Sequence, residues 1–180
     1  MDVIEAIEAR RTYRNYDRNW SCPKEDLEDI VNAALKSPSA GNRQCIDVIA
    51  IKDQNVIETA SDIAFKSLKS HARKTILERR NDGCKNVVTC DAPVLFLLVK
   101  NQNAEPVYLD IDAGIMCQTI MLSATRFGYG TMCVGIFRNL DLSEALGFKH
   151  GSIIMGIVMG KIADGVKLKP KAVQANAIFV

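Results

Sequence analysis

The chain has no C-x-x-C pair, no G-x-G-x-x-G fingerprint, no internal repeat and no low-complexity tract. The missing cysteine pair removes the usual zinc and iron–sulfur sites. Six cysteines stand at 22, 45, 84, 90, 117 and 133, and the nearest two in sequence, Cys84 and Cys90, are separated by other residues. Scattered in this way they read as buried free thiols of a reducing compartment. The missing glycine fingerprint leaves no resident dinucleotide site of the Rossmann kind. Long apolar runs are also missing. The most apolar segment, 111–127, contains Asp112 and Arg126 and follows Asp110, so it reads as a buried helix and not as a membrane span. The first residues include Asp2, Glu5 and Glu8 where a secretion signal would be cationic and then apolar, which makes the cytoplasm the expected location. A net charge of +2 and an aromatic content of 6%, with no aromatics interleaved among cations, give no reason to expect a nucleic-acid partner.

What is present is ordinary globular composition, 48% apolar and 24% charged over 180 residues. That length and mixture fit one domain with a sizeable core. Asp2 with Glu5 forms a capping-box pattern for a short helix ending near Arg10, with Val3, Ile4 and Ile7 as its apolar face. Pro23 suits a first helical position, and Leu27, Ile30, Val31, Ala34 and Leu35 follow at spacings of three and four, so a second helix must end before Pro38. The alternating, β-branched run 45–52 predicts a strand, and Asp53 a cap for a third helix. Residues 66–86 are cationic and weakly periodic, a solvated helix and loop. The continuous apolar run 93–100 predicts a central strand covered on both faces. Residues 110–127 carry apolar groups around almost the whole circumference and predict a helix buried on all sides. Strands at 128–137 and 152–160 flank a short glycine-ended helix at 142–147. A domain over 1–160 is expected, followed by an extension over 161–180 that is polar and cationic in its middle and apolar at its end.

Three polar clusters could carry chemistry. Arg10, Arg11 and Arg14 flank Thr12 at the end of a helix. They read either as a solvated charged terminus or as a phosphate clamp, since guanidinium forks and a hydroxyl match phosphate oxygens. In 37–44, Pro38, Ser39, Ala40 and Asn42 are turn-forming or small residues. Asn42 and Gln44 add amides suited to the edge of a planar heterocycle. Lys167, Lys169 and Lys171 alternate around Pro170 and are either a solvated tail or a stiffened cationic strip.

Taken with their order and spacing, I-x-x-R-R-T-x-R, A-x-x-S-P-S-A-x-N-x-Q, D-A-P-V-L-F-L-L, D-x-G-x-x-x-Q-x-x-x-L-x-A and G-x-G-T-x-x-V-G resemble the FMN-dependent nitroreductase family from about Ile7 to Lys171. The resemblance implies an α+β fold with a mainly antiparallel sheet flanked by helices. It also implies an obligate homodimer whose C-terminal extensions wrap the partner subunit, with two FMN sites lying between the subunits. Arg10, Arg11, Thr12 and Arg14 would hold the phosphate and the polar edge of the flavin, and Lys169 with Lys171 would reach the same phosphate. Pro38, Ser39, Ala40 and Asn42 would come from the other subunit, with Gln44 beside them. Cys133, Val134 and Gly135 would lie along the isoalloxazine, and Arg10 or Arg14 would stabilise the reduced ring.

The implied activity is ping-pong transfer of hydride from NADH or NADPH, as a transient reductant, to a small electron-poor acceptor such as a nitroaromatic or a quinone. No side-chain acid or base is required, because the cofactor does the chemistry. The alternative is a non-catalytic flavin-binding sensor or store. The chain departs from the family at Cys45 and Ile46, where a proline and an aromatic are usual, at Lys85 and Asn86, which find no clear register, and in the short 101–109 connection, which implies an open pocket.

Overall fold

The computed structural model describes residues 1–104, 106–168 and 170–179, with backbone only for Asp82 and Pro106. Its centre is a four-stranded antiparallel sheet of β1 (Ile46–Ile51), β2 (Val94–Lys100), β3 (Tyr129–Val134) and β4 (Ile153–Lys161) in the order β1-β2-β4-β3. Side chains alternate between the faces of a strand. Val94, Phe96 and Leu98 therefore enter one core, with Ile30 and Ala34 of α2 (Lys24–Leu35) and Met116 and Ile120 of α5 (Pro106–Arg126). Leu95, Leu97 and Val99 enter the other, with Ile57, Ala60 and Ala64 of α3 (Gln54–Ser67). Two covered faces are why the run 93–100 is continuously apolar, and the expected α+β class with an antiparallel sheet is the observed one.

The helix starts follow local chemistry. In α1 (Val3–Ala9), Glu5 N donates to Asp2 Oδ1 at 2.9 Å and Asp2 N to Glu5 Oε2 at 2.8 Å, so the capping box is closed in both directions. Asp53 accepts from the amides of Asn55 and Val56 at the start of α3. Pro23 caps α2 and is not its first turn, because its ψ of 143° is extended and the helical conformation begins at Lys24. The cationic stretch forms α4 (Ser70–Leu77) and a 3-10 turn over Glu78–Asp82. Its cations are partly used by the fold: Arg73 donates to Lys66 O and lies 5.8 Å over the Phe65 ring, and Arg79 Nη1 donates to Val87 O at 2.8 Å. Gly147, at φ 74°, ends the short α6 (Ser143–Leu146) as expected.

The long helix departs from expectation in two ways. It starts at Pro106, since proline is well tolerated in a first helical turn, so the connection from β2 is shorter than 101–109. It is also not covered all round within one chain. Ala113, Met116, Cys117, Ile120 and Ala124 are buried, whereas Val107, Ile111 and Ile115, spaced four residues apart, are 74%, 59% and 37% exposed. On α1, Val3, Ile4 and Ile7 are open as well. Beyond β4, Ile162 bridges Tyr16 and Ala163 N donates to Asn15 O at 3.2 Å. The described residues after Gly165 form no helix or strand, and Val173, Ile178 and Phe179 are solvent-exposed. No helix among the described residues is long and apolar enough to cross a membrane.

Candidate cofactor site

The segment 10–14 leaves α1 and runs along the outer edge of β3, the end strand of the sheet. Thr12 forms a parallel bridge to Thr131, and Tyr13 N donates to Thr131 O at 3.0 Å. This approach depends on a missing side chain: a Cβ on Gly130 would stand 2.7 Å from Tyr13 Cγ. Gly130→Ala is expected to push Tyr13 off the strand and to lower stability by about 1–3 kcal/mol, the usual cost of overpacking. Equilibrium denaturation reads this directly, and an unchanged midpoint would mean that the edge contact is dispensable.

Two buried polar atoms at this edge lack partners among the described residues, Arg11 Nη1 and Thr131 Oγ1. Thr131 is part of the Thr12–Thr131 bridge and Arg11 precedes it in the chain. An unpaired buried cation donor is costly, and an anion bearing several acceptor oxygens would satisfy it. Arg10 adds its charge beside Cys133, whose thiol it helps to acidify. Arg14 lines a cavity of about 490 Å³ with Arg18, Cys84, Cys90 and Lys167, and a second of about 600 Å³ with Arg79 and Ile136. Arg10 is thus close to Cys133, and Arg14 shares a cavity with Ile136, the residue after Gly135. Lys171 Nζ donates to Ile7 O at 3.1 Å, which brings the tail to the last turn of α1 next to the arginines. Lys169 lies outside the described residues.

The 37–44 cluster is held by α5. Ser37 Oγ donates to Thr119 Oγ1 at 2.9 Å, and the buried carboxylate of Asp112 accepts from Ala40 N at 3.2 Å. Ser39 Oγ accepts from Gln44 N at 3.0 Å, and Gln44 Nε2 donates to Asn42 Oδ1 at 3.3 Å. Gly41, Asn42 and Gln44 all have left-handed φ, at 59°, 53° and 50°. Such conformations persist where surrounding contacts over-determine them. Pro38, Ser39 and Gln44 line a cavity of about 180 Å³ whose other walls include Asp112 and Met116 but none of the arginines. Among the described residues, no hydrogen bond or ion pair joins Arg10, Arg11, Thr12 or Arg14 to Pro38, Ser39, Ala40, Asn42 or Gln44.

At the end of β3, Cys133 and Gly135 are exposed while Val134 is buried in the core on the α3 side. A Cβ on Gly135 would meet nothing within 4 Å, so the surface there is open. The expectation of buried thiols holds for five cysteines and fails for Cys133. Its Sγ lies 3.2 Å from Cys117 Sγ and 3.5 Å from Met121 Sδ. Sequence reasoning missed this sulfur group, the orphaned Thr131 and the role of Asp112. The available signals were the four-residue spacing of Cys117 and Met121 and the two-residue spacing of Thr131 and Cys133, which place each pair on one face.

Over residues 7–161 the sequence matches the nitroreductase family, and the chain belongs to that family. A relative in Methanothermobacter thermautotrophicus, named a putative NADH dehydrogenase/NAD(P)H nitroreductase, is 26% identical over 148 residues, which span 81% of this chain and 67% of the relative. A Bacillus subtilis protein named FMN reductase (NAD(P)H) is 26% identical over 177 residues, 96% of this chain and 71% of its own. The fold is also that of a nitroreductase with bound FMN from Bacteroides fragilis, at TM-score 0.81 and 23% identity, with 100% of this chain and 98% of the other aligned.

Proposed function

We propose that two copies of this chain bind FMN at their seam and act as an NAD(P)H oxidoreductase. The observation that carries this reading is Arg11 Nη1, buried and without a partner among the described residues, on the segment that runs along the edge of β3. FMN phosphate is close to doubly negative at pH 7 and offers three acceptor oxygens, which suits that donor set. Arg11, Thr12 and Lys171 would hold the phosphate end, Arg10 would supply positive charge beside 133–135, and Pro38, Ser39, Ala40, Asn42 and Gln44 would come from the second copy. A homodimer is supported by the open apolar stripe on α5 and by the lack, among the described residues, of hydrogen bonds between the two clusters within one chain. The relatives named as NAD(P)H nitroreductases and as an FMN reductase support the choice of cofactor and reductant.

When bound, FMN supplies a two-electron relay, in ping-pong order, from NADH or NADPH to an electron-poor acceptor such as a nitroaromatic or a quinone. The residues of the chain position and stabilise. Small groups at Ser39, Ala40 and Gly135 let backbone approach a flat ring closely. Arg10 favours negative charge developing near β3. Asp112, through Ala40 N, fixes the loop that carries the amides.

The test is an anaerobic titration of the purified protein. A yellow protein is expected, bleached by NADH or NADPH and recoloured by a quinone. A protein left colourless after incubation with FMN would remove the reading, and a yellow one that neither nicotinamide bleaches would leave a flavin-binding protein without turnover.

A further inference from the structure

We infer that Cys133 and Cys117 form a dithiol–disulfide redox site, oxidised by hydroperoxides and reduced by dithiols. The pair is built from two rigid elements. Cys117 projects from α5, is buried, and has Met121 one turn further along the helix; Cys133 projects from β3 and is exposed. Their sulfurs stand 3.2 Å apart, so a disulfide needs about an ångström of approach. One thiol is open to a small oxidant, and its partner waits behind it in the core, the arrangement of an attacking and a resolving cysteine.

The electrostatics agree with those roles. The Cys133 thiol is lowered, first by the hydrogen bond from Cys117 and then by the nearby charge of Arg10, against the opposing effect of burial. That same hydrogen bond and burial push Cys117 up. Cys84 and Cys90 differ: both are buried, and burial is the main reason that each thiol is raised.

In the reaction, the thiolate of Cys133 attacks one oxygen of the hydroperoxide. The O–O bond breaks, the leaving oxygen departs as water or alcohol after taking a proton, and a sulfenic acid remains. Cys117 then attacks that sulfur; the S–S bond forms, the S–O bond breaks, and the sulfenic oxygen leaves as water with the proton of Cys117. Two thiols lose two electrons and two protons, and the peroxide gains both. Thiol–disulfide exchange with a small dithiol returns the pair to its starting state.

Cys133 belongs to the stretch along which the proposed flavin would lie, so the protein is tested both as purified and after removal of flavin, and the test reads sulfur and not colour. Purified protein is treated with a small excess of hydrogen peroxide, and the remaining thiols are alkylated and digested with trypsin. Cleavage at Arg126 separates the peptide carrying Cys117 from the one carrying Cys133. The expected result is the loss of two of the six alkylatable thiols and a linked pair of these peptides, lighter than their sum by two hydrogens and separated by dithiothreitol. In Cys117→Ser, Cys133 is expected to stop at the sulfenic acid and to be captured by a 1,3-dione. Peptides that stay unlinked in the unmodified protein, or a link between Cys84 and Cys90 instead, would overturn the inference, whether or not the variant folds.

Discussion

Arg11→Ala is expected to weaken FMN binding by about 10- to 100-fold while leaving the flavin-free protein as stable as before or slightly more so. The first figure follows from losing a charge-assisted hydrogen bond of about 1.5–3 kcal/mol, at 1.4 kcal/mol per factor of ten. The second follows from the state of Arg11 Nη1 without ligand, buried and without a partner among the described residues. Removing such a donor also removes its desolvation cost. Opposite signs for binding and stability are the useful feature, since a residue that served only the fold would lose both together. Fluorescence titration with FMN and a thermal melt of stripped protein measure the two quantities. Equal loss in both would assign Arg11 to the scaffold.

Ile111→Lys is expected to separate the proposed dimer and, with it, to release the flavin. Ile111 is 59% exposed at the middle of an apolar stripe with Val107 and Ile115, and burying such a side chain contributes about 1.5–3 kcal/mol. In a two-fold interface the same residue is used twice, so the loss doubles, and two lysine charges enter an apolar seam. A dimer dissociation constant raised by about 10³-fold or more is the expected result. The monomer should stay folded, because the side chain makes little use of its own core. Sedimentation velocity over a dilution series measures this, and a dimer of unchanged affinity would move the interface off this face of α5.

The elements that could be read from the chain were those whose signal is local. Alternation and β-branching marked β1, the capping box marked α1, and the continuous apolar run of β2 reflected burial on both faces of the sheet. Boundaries governed by proline shifted, at Pro23 and Pro106, because one ring angle is compatible with a cap, a first turn or an extended residue. The arginine cluster was legible as residue types in order. That Arg10 and Arg14 face different surroundings was not, since it depends on how the segment lies along β3. Nor could the approach of Cys117 to Cys133 be read, because it arises from packing between a helix and a strand. Apolar residues all round α5 signalled burial correctly in kind, but within one chain a stripe of that helix stays open.

The central claim is that FMN sits where two copies meet, and sedimentation of the purified protein followed at a flavin wavelength and a protein wavelength tests it most directly. All of the bound colour is expected to travel with the dimer, at one flavin per chain, and to be released as dilution separates the subunits. Colour carried by a folded monomer, or a dimer that takes up no FMN, would contradict it.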